Sequence, residues 1–273
     1  MSQLRSFLHY LGCGLLVVFY VNLFVVWSWL DRLLGRGTVN LLPLAVTFLV
    51  LTGIVLFVVH LRGKGISIQW AYVGAGVGLC LLALLVSDMR YAVKRIHVVE
   101  YLFLSLVVRN GMSWQLQGKN LLFFSFLATA VFGVHDELLQ GIHPLRTYGL
   151  RDMAVNGISA AGGALIWHGA DLFPGNLQFS TGNKTRSSPA ALLLYILWLV
   201  IAVPALVVPL TAYRYDLIPY WPMLPLTGSL VFWFLYGAGF APSSRHGLVV
   251  LSWLSFLLLC YPVVINVASI PFG

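Results

Sequence analysis

Five of the chain's eight carboxylates fall between residues 88 and 152, among histidine, amide and arginine side chains of the kinds that move protons or hold polar ligands. His97 and Glu100 are spaced i,i+3, with Tyr101 beside them. Glu137 and Gln140 repeat that spacing, and Asp152 and Asn156 are i,i+4. On a helix each spacing puts the pair on one face, so three polar stripes run along otherwise apolar segments. Asp136 precedes Glu137, and His143-Pro144-Leu145-Arg146 lies between the second and third stripes. A carboxylate partly withdrawn from water suits general-base work. Glu137 or Glu100 takes that role, His97 orients or shuttles a proton, and Asp152 completes the acid/base set. Arg146 offers the planar fork that grips phosphate or carboxylate. Gln140, Asn156, Tyr101 and Asp136 would hold the polar groups of a substrate, with Asp152 helping to position its hydroxyls. No Ser or Cys nucleophile stands out, so transfer or hydrolysis through an activated hydroxyl fits better than a covalent route. No HxxxH or HExxH pair occurs, and Arg146 would repel a cation. Neither a metal nor another cofactor is expected.

These residues sit in a chain unlike a soluble enzyme. Of its 273 residues, 60% are hydrophobic and 9% charged, with a mean hydropathy of +0.91. Soluble domains carry roughly 25% charged residues. The composition excludes a soluble enzyme, a disordered chain and a disulfide-stapled secreted domain. The apolar runs are continuous rather than alternating, which argues against a membrane β-barrel. Cys13, Cys80 and Cys260 lie singly inside such runs and read as small hydrophobes. A net charge of +8 suits anionic lipid headgroups. No basic run exceeds Lys94-Arg95, so nucleic acid is not an expected partner.

The elements that must position the stripes follow from the charges. Six runs of 23 to 28 residues lack Asp, Glu, Lys and Arg, and roughly 20 apolar residues cross a bilayer. These predict spans near 6–30, 39–61, 68–87, 190–212, 222–241 and 247–268. Three more helices fit the charge-interrupted middle, near 96–112, 120–141 and 150–168. The expected fold is therefore all-α, a polytopic transmembrane helical bundle of about nine helices. Pro204, Pro209 and Pro262 fall inside predicted helices as candidate kinks. Gly74 and Gly78 form GxxxG, and Gly157, Ala160, Ala161, Gly162 and Gly163 add small residues that would let helices approach closely. The organisation reads as two N-terminal helices (1–67), a four-helix core carrying the polar stripes (68–168), a polar loop (169–189) and three C-terminal helices (190–273). Antiparallel packing of consecutive helices would bring the three stripes to one membrane face. Basic residues are equal in number on the two sides; reading those near the stripes as functional places the N-terminus inside.

The central segment resembles a known family. Lys94-Arg95-Ile96-His97-Val98-Val99-Glu100-Tyr101 resembles a K-x-x-H-x-x-x-Y entry to a helix. Asp136-Glu137-Leu138-Leu139-Gln140, then Pro144-Leu145-Arg146, then Asp152-Met153-Ala154-Val155-Asn156-Gly157 resemble a D-E-x-x-Q, P-x-R, D-x-x-x-N run. Both are patterns of the VanZ-like family of bacterial membrane proteins, and the likeness covers roughly 68–168. The resemblance implies a bacterial inner-membrane, multi-pass protein. It also links the chain to the cell envelope, since the family's namesake is associated with low-level resistance to a glycopeptide that binds cell-wall precursors.

Three functions fit these features. The first is binding of a membrane lipid or lipid-linked envelope precursor in an interfacial polar pocket. The second is an enzyme using the same carboxylates as general acid and base on a lipid headgroup. The third is a structural subunit, with a membrane-protein partner or a second copy of the chain packed on its nearly uncharged terminal helices.

Overall fold

The computed structural model describes residues 2–88, 91–175, 189–213 and 216–273, and their secondary structure is helical, without a strand. The helices are α1 (Ser2–Asn22), α2 (Phe24–Leu34), α3 (Arg36–Gly63), α4 (Trp70–Val86), α5 (His97–Met112), α6 (Gly118–Ile142), α7 (Leu150–Gly169), α8 (Pro189–Leu210), α9 (Leu224–Tyr236) and α10 (Pro242–Ala268). None of the helix starts described has a side-chain cap. Gly35 sits at φ +78° between α2 and α3, and its N–H closes on the Asp31 carbonyl at 3.0 Å. A side chain there would be strained, so glycine permits the reversal.

Among the described residues, five stretches are long and apolar enough to cross a membrane: Gln3–Leu34, Arg36–Gly63, Gly118–Ile142, Ala190–Leu210 and Ser243–Ala268. The surface is inverted relative to a soluble protein. Leu49 is 74% and Phe234 88% exposed, while Asp136 and Asn156 are fully buried. Apolar outside and ionisable inside is the arrangement lipid demands. The chain is a membrane protein.

Two predicted spans come out shorter than expected. The 68–87 run gives the 17-residue α4. The 222–241 run is broken into a 3-10 turn at Trp221–Met223, the 13-residue α9 and a second 3-10 turn at Gly237–Gly239. Pro222 and Pro225 open this segment, and glycines with Pro242 close it. At 1.5 Å per residue α9 alone spans about 20 Å, short of the roughly 30 Å hydrocarbon core. The prolines behave more gently elsewhere: α8 continues through Pro204 and Pro209, and α10 through Pro262. The 169–189 loop is described only as far as Gly175; residues 176–188 lie outside the described residues.

The chain divides into two compact units, the first made of Met1–Asp136 and Arg151–Asn176, the second of Glu137–Leu150 and Leu177–Gly273. In the first unit, α4, α5 and α7 meet through small residues, but not through the GxxxG pair. Cβ atoms at Gly74, Gly78 or Gly157 would meet nothing within 4 Å. The close approach is at Gly76, where a Cβ would lie 2.5 Å from the Gly162 carbonyl oxygen, and at Gly162, 2.8 Å from Cys80 Sγ. Trp167 locks α7 to α5 by donating its indole N–H to Ser105 Oγ at 3.0 Å and to the Leu102 carbonyl at 3.1 Å. In the second unit, Trp198 donates to the Pro225 carbonyl at 2.9 Å and Tyr195 to that of Ser229 at 3.3 Å, tying α8 to α9. Asn266 of α10 fixes the Ile218 backbone from both sides, at 2.9 and 2.7 Å.

Candidate functional site

In the first unit, α5 begins one residue after a 3-10 turn at Ala92–Ile96. That placement puts His97 and Glu100 in the first turn of α5, on one face. His97 Nδ1 lies 2.8 Å from Glu100 Oε2 and 3.8 Å from Asp136 Oδ2 of α6. Tyr101 donates its hydroxyl to Asp136 Oδ2 at 3.0 Å. Asn156, from α7, donates its amide to the Gly133 carbonyl at 3.3 Å. Gly133 has no room for a side chain, because a Cβ would meet Asn156 Cβ at 2.7 Å and Tyr101 at 3.3 Å. These contacts bring α5, α6 and α7 together around one polar cluster. His97, Glu100, Tyr101, Asp136, Asp152 and Asn156 are each at most 5% exposed.

The arrangement suits proton handling and the binding of polar groups. A histidine held between two carboxylates has its ring oriented by them, and its tautomer follows the bond it makes. The hydroxyl of Tyr101 adds a donor to the Asp136 oxygen. His97 and Asp136 also have the donor types that zinc takes. One atom is left over: Asn156 Oδ1 is buried with no hydrogen-bond donor among the described residues.

Asp152 sits in the first turn of α7, where a carboxylate is favoured by the helix dipole. Its partner is Lys94 Nζ, from the 3-10 turn before α5. In the sequence Lys94 stands out as half of a basic pair and as the first residue of the family-like motif. Nothing local ties it to a residue 58 positions away, so only the fold reveals the pair. Arg151, next to Asp152, reaches the other way and donates to the carbonyls of Val86 and Ser87 at the end of α4, with Asp88 at 3.7 Å. A cation on the last carbonyls of a helix is stabilising. His135 (6% exposed) and Arg109 (1% exposed) are buried residues that sequence reading left without a role. Neither has another ionisable side chain at helical spacing that would mark a stripe.

Glu137, Gln140 and Arg146 fall in the second unit. There Gln140 donates to Glu137 Oε1 at 3.2 Å, and Arg146 Nη2 donates to Gln140 Oε1 at 2.5 Å. The Gly149 N–H donates to Glu137 Oε2 at 3.1 Å. The turn between is tightened by the Arg146 N–H on the His143 carbonyl at 3.0 Å. The last residues brace the same segment. Gly273 donates to the Gly141 carbonyl and accepts from the Tyr148 N–H, at 3.0 and 2.8 Å, while Phe272 packs against Gly141 and Tyr148. Arg146 thus reaches the carboxylate of Glu137 through an amide, and the three residues hold the connection between α6 and α7. Gln140→Leu removes both ends of that link. It is expected to cost about 1–3 kcal/mol, the penalty for stranding buried polar groups, read as a lowered unfolding midpoint in detergent. An unchanged midpoint would show that the chain of bonds does not brace the turn.

No family model matches the chain, and no curated protein or solved structure does either.

Proposed function

We propose that this is a VanZ-like, multi-pass protein of a bacterial inner membrane, and that the cluster of His97, Glu100, Tyr101, Asp136 and Asn156 binds the polar headgroup of an envelope lipid or lipid-linked precursor. Nine crossings follow if α4, α5, α7 and α9, the last with its two flanking 3-10 turns, join the five long apolar helices. The observation that carries the binding reading is Asn156 Oδ1. It is an acceptor buried where α5, α6 and α7 meet, without a donor among the described residues, an arrangement that costs about 1–3 kcal/mol. A hydroxyl or ammonium group of a ligand would supply that donor, and His97, Glu100 and Asp136 stand ready for further polar groups. Lys94, a quarter exposed beside Asp152, is the member of the site best placed to meet phosphate.

The test is the lipid that travels with the purified protein, identified by mass spectrometry. Asn156→Leu removes the stranded acceptor together with the amide that donates to the Gly133 carbonyl, and it is expected to empty the protein of its headgroup-bearing lipid. An unchanged lipid complement in both Asn156→Leu and Asp136→Asn would sink the binding reading. The second reading, acid/base chemistry on the headgroup, rests on His97 held between Glu100 and Asp136. It requires wild-type protein to alter the bound headgroup and Glu100→Gln to retain the lipid without altering it.

A further inference from the structure

The other end of the first unit carries a different feature. There the end of α5, the end of α7 and the start of α4 lie at one level, joined by Arg109 Nε on the Leu172 carbonyl at 2.6 Å and by the Gln69 N–H on the Gly169 carbonyl at 2.9 Å. The start of α1 lies here too, with His9 bonded to the Val107 carbonyl at 2.8 Å and the Arg5 guanidinium 3.9 Å from the Trp114 ring. From this end a cleft of about 490 Å³ runs between α3 and α5, lined by Val50, Gly53 and Phe57 on one side, Phe103 on the other, and Trp167 and Phe173 across it. Its volume lies in the range of about 300–1,000 Å³ that ligand clefts occupy. Its lining is apolar.

Two observations say what belongs in it. The first is charge. The described Asp, Glu, Lys and Arg residues at this end include Arg5, Arg62, Lys64, Arg109 and Lys119 against one carboxylate, Asp171, whereas the opposite end of the same unit balances five carboxylates, Asp31, Asp88, Glu100, Asp136 and Asp152, with five cations, Arg32, Arg36, Lys94, Arg95 and Arg151. The second is Arg109 itself. It is 1% exposed, its Nε holds Leu172 in the cleft wall, and its Nη1 has no hydrogen-bond partner among the described residues. A buried guanidinium donor without an acceptor is costly, and a phosphate or phosphoglycerol oxygen would accept from it in a charge-assisted hydrogen bond. The wall it holds is itself under strain: Phe173 is kept at φ +50°, a conformation bulky residues avoid, and strain of this kind gathers at ligand clamps.

We infer that the cleft holds one acyl chain of an anionic phospholipid, with its headgroup at Arg109. This site is separate from the polar cluster and stands without it. The probe is full-length protein in detergent, mixed with equal amounts of phosphatidylglycerol and phosphatidylcholine, with bound lipid read by native mass spectrometry. Wild type is expected to retain phosphatidylglycerol in preference. Gly53→Leu places a side chain in the cleft, and a Cβ at Gly53 meets nothing within 4 Å, so the helix keeps its packing. It is expected to lower retention of both lipids about tenfold, one decade of affinity. Arg109→Gln is expected to keep chain binding and lose the preference for phosphatidylglycerol. Equal retention of the two lipids by wild type, full retention by Gly53→Leu, or an unchanged preference in Arg109→Gln would each overturn the inference.

Discussion

Lys94→Met is expected to destabilise the protein by about 3 kcal/mol, the lower part of the range for breaking a buried ion pair by removing one partner. Asp152 is 2% exposed, and its counter-charge is the Lys94 ammonium. Methionine keeps most of the apolar stem and removes only the charge, so Asp152 would stand desolvated and uncompensated. The lower part of the range applies because Lys94 itself is a quarter exposed and has less desolvation to lose. Asp152→Asn in the same background removes the stranded charge, and the double variant is expected to return to within about 1 kcal/mol of wild type. Unfolding of the four proteins in one detergent gives the coupling energy as a double-mutant cycle. Additive losses would show that the two residues do not act as a pair, and the placement of the 3-10 turn beside α7 would lose its energetic basis.

Gly76→Val is expected to be equally damaging, at about 3 kcal/mol or more, the upper end for forcing bulk into a packed interface. A Cβ at Gly76 would lie 2.5 Å from the Gly162 carbonyl oxygen and 3.0 Å from the Ile166 backbone nitrogen. Neither is a flexible side chain, so α4 and α7 must separate. Separation would also loosen Cys80 against Gly162, where the same two helices touch again. Gly74→Val and Gly78→Val, on the same helix, are expected to cost under about 1 kcal/mol, because nothing stands within 4 Å of either position. The comparison uses expression level and thermal stability of the three variants side by side. Equal damage at all three glycines would restore the GxxxG face as the packing surface.

The GxxxG outcome shows where a sequence pattern stops. Gly74, Gly76 and Gly78 alternate along one helix, and each spacing is compatible with close approach. Which glycine meets a neighbour depends on the rotation of α4 about its axis, and that is set by α7 rather than by α4's own sequence. The same holds for the polar residues. Spacing alone placed His97 with Glu100 and Glu137 with Gln140, because i,i+3 neighbours touch on any helix, and both pairs are in contact. Spacing also paired Asp152 with Asn156, yet their bonded partners lie elsewhere, on Lys94 and on the Gly133 carbonyl.

By itself the sequence determined the class of the molecule and its most apolar crossings. Both follow from composition over windows of about 20 residues, which lipid reads residue by residue without reference to the rest of the chain. It determined the helical pairs within each stripe for the same local reason. The tertiary structure alone decided that α9 is cut short by its flanking turns, that Lys94 neutralises Asp152, and that Gln140 stands between Arg146 and Glu137. It also decided that Arg109 is buried and bonded to Leu172 in the wall of an apolar cleft. Each of these joins residues with no helical register between them, or depends on how one helix turns against another. Desolvated charges and close-packed backbones then settle the arrangement, because a buried charge or donor must find its partner wherever the fold brings one within reach.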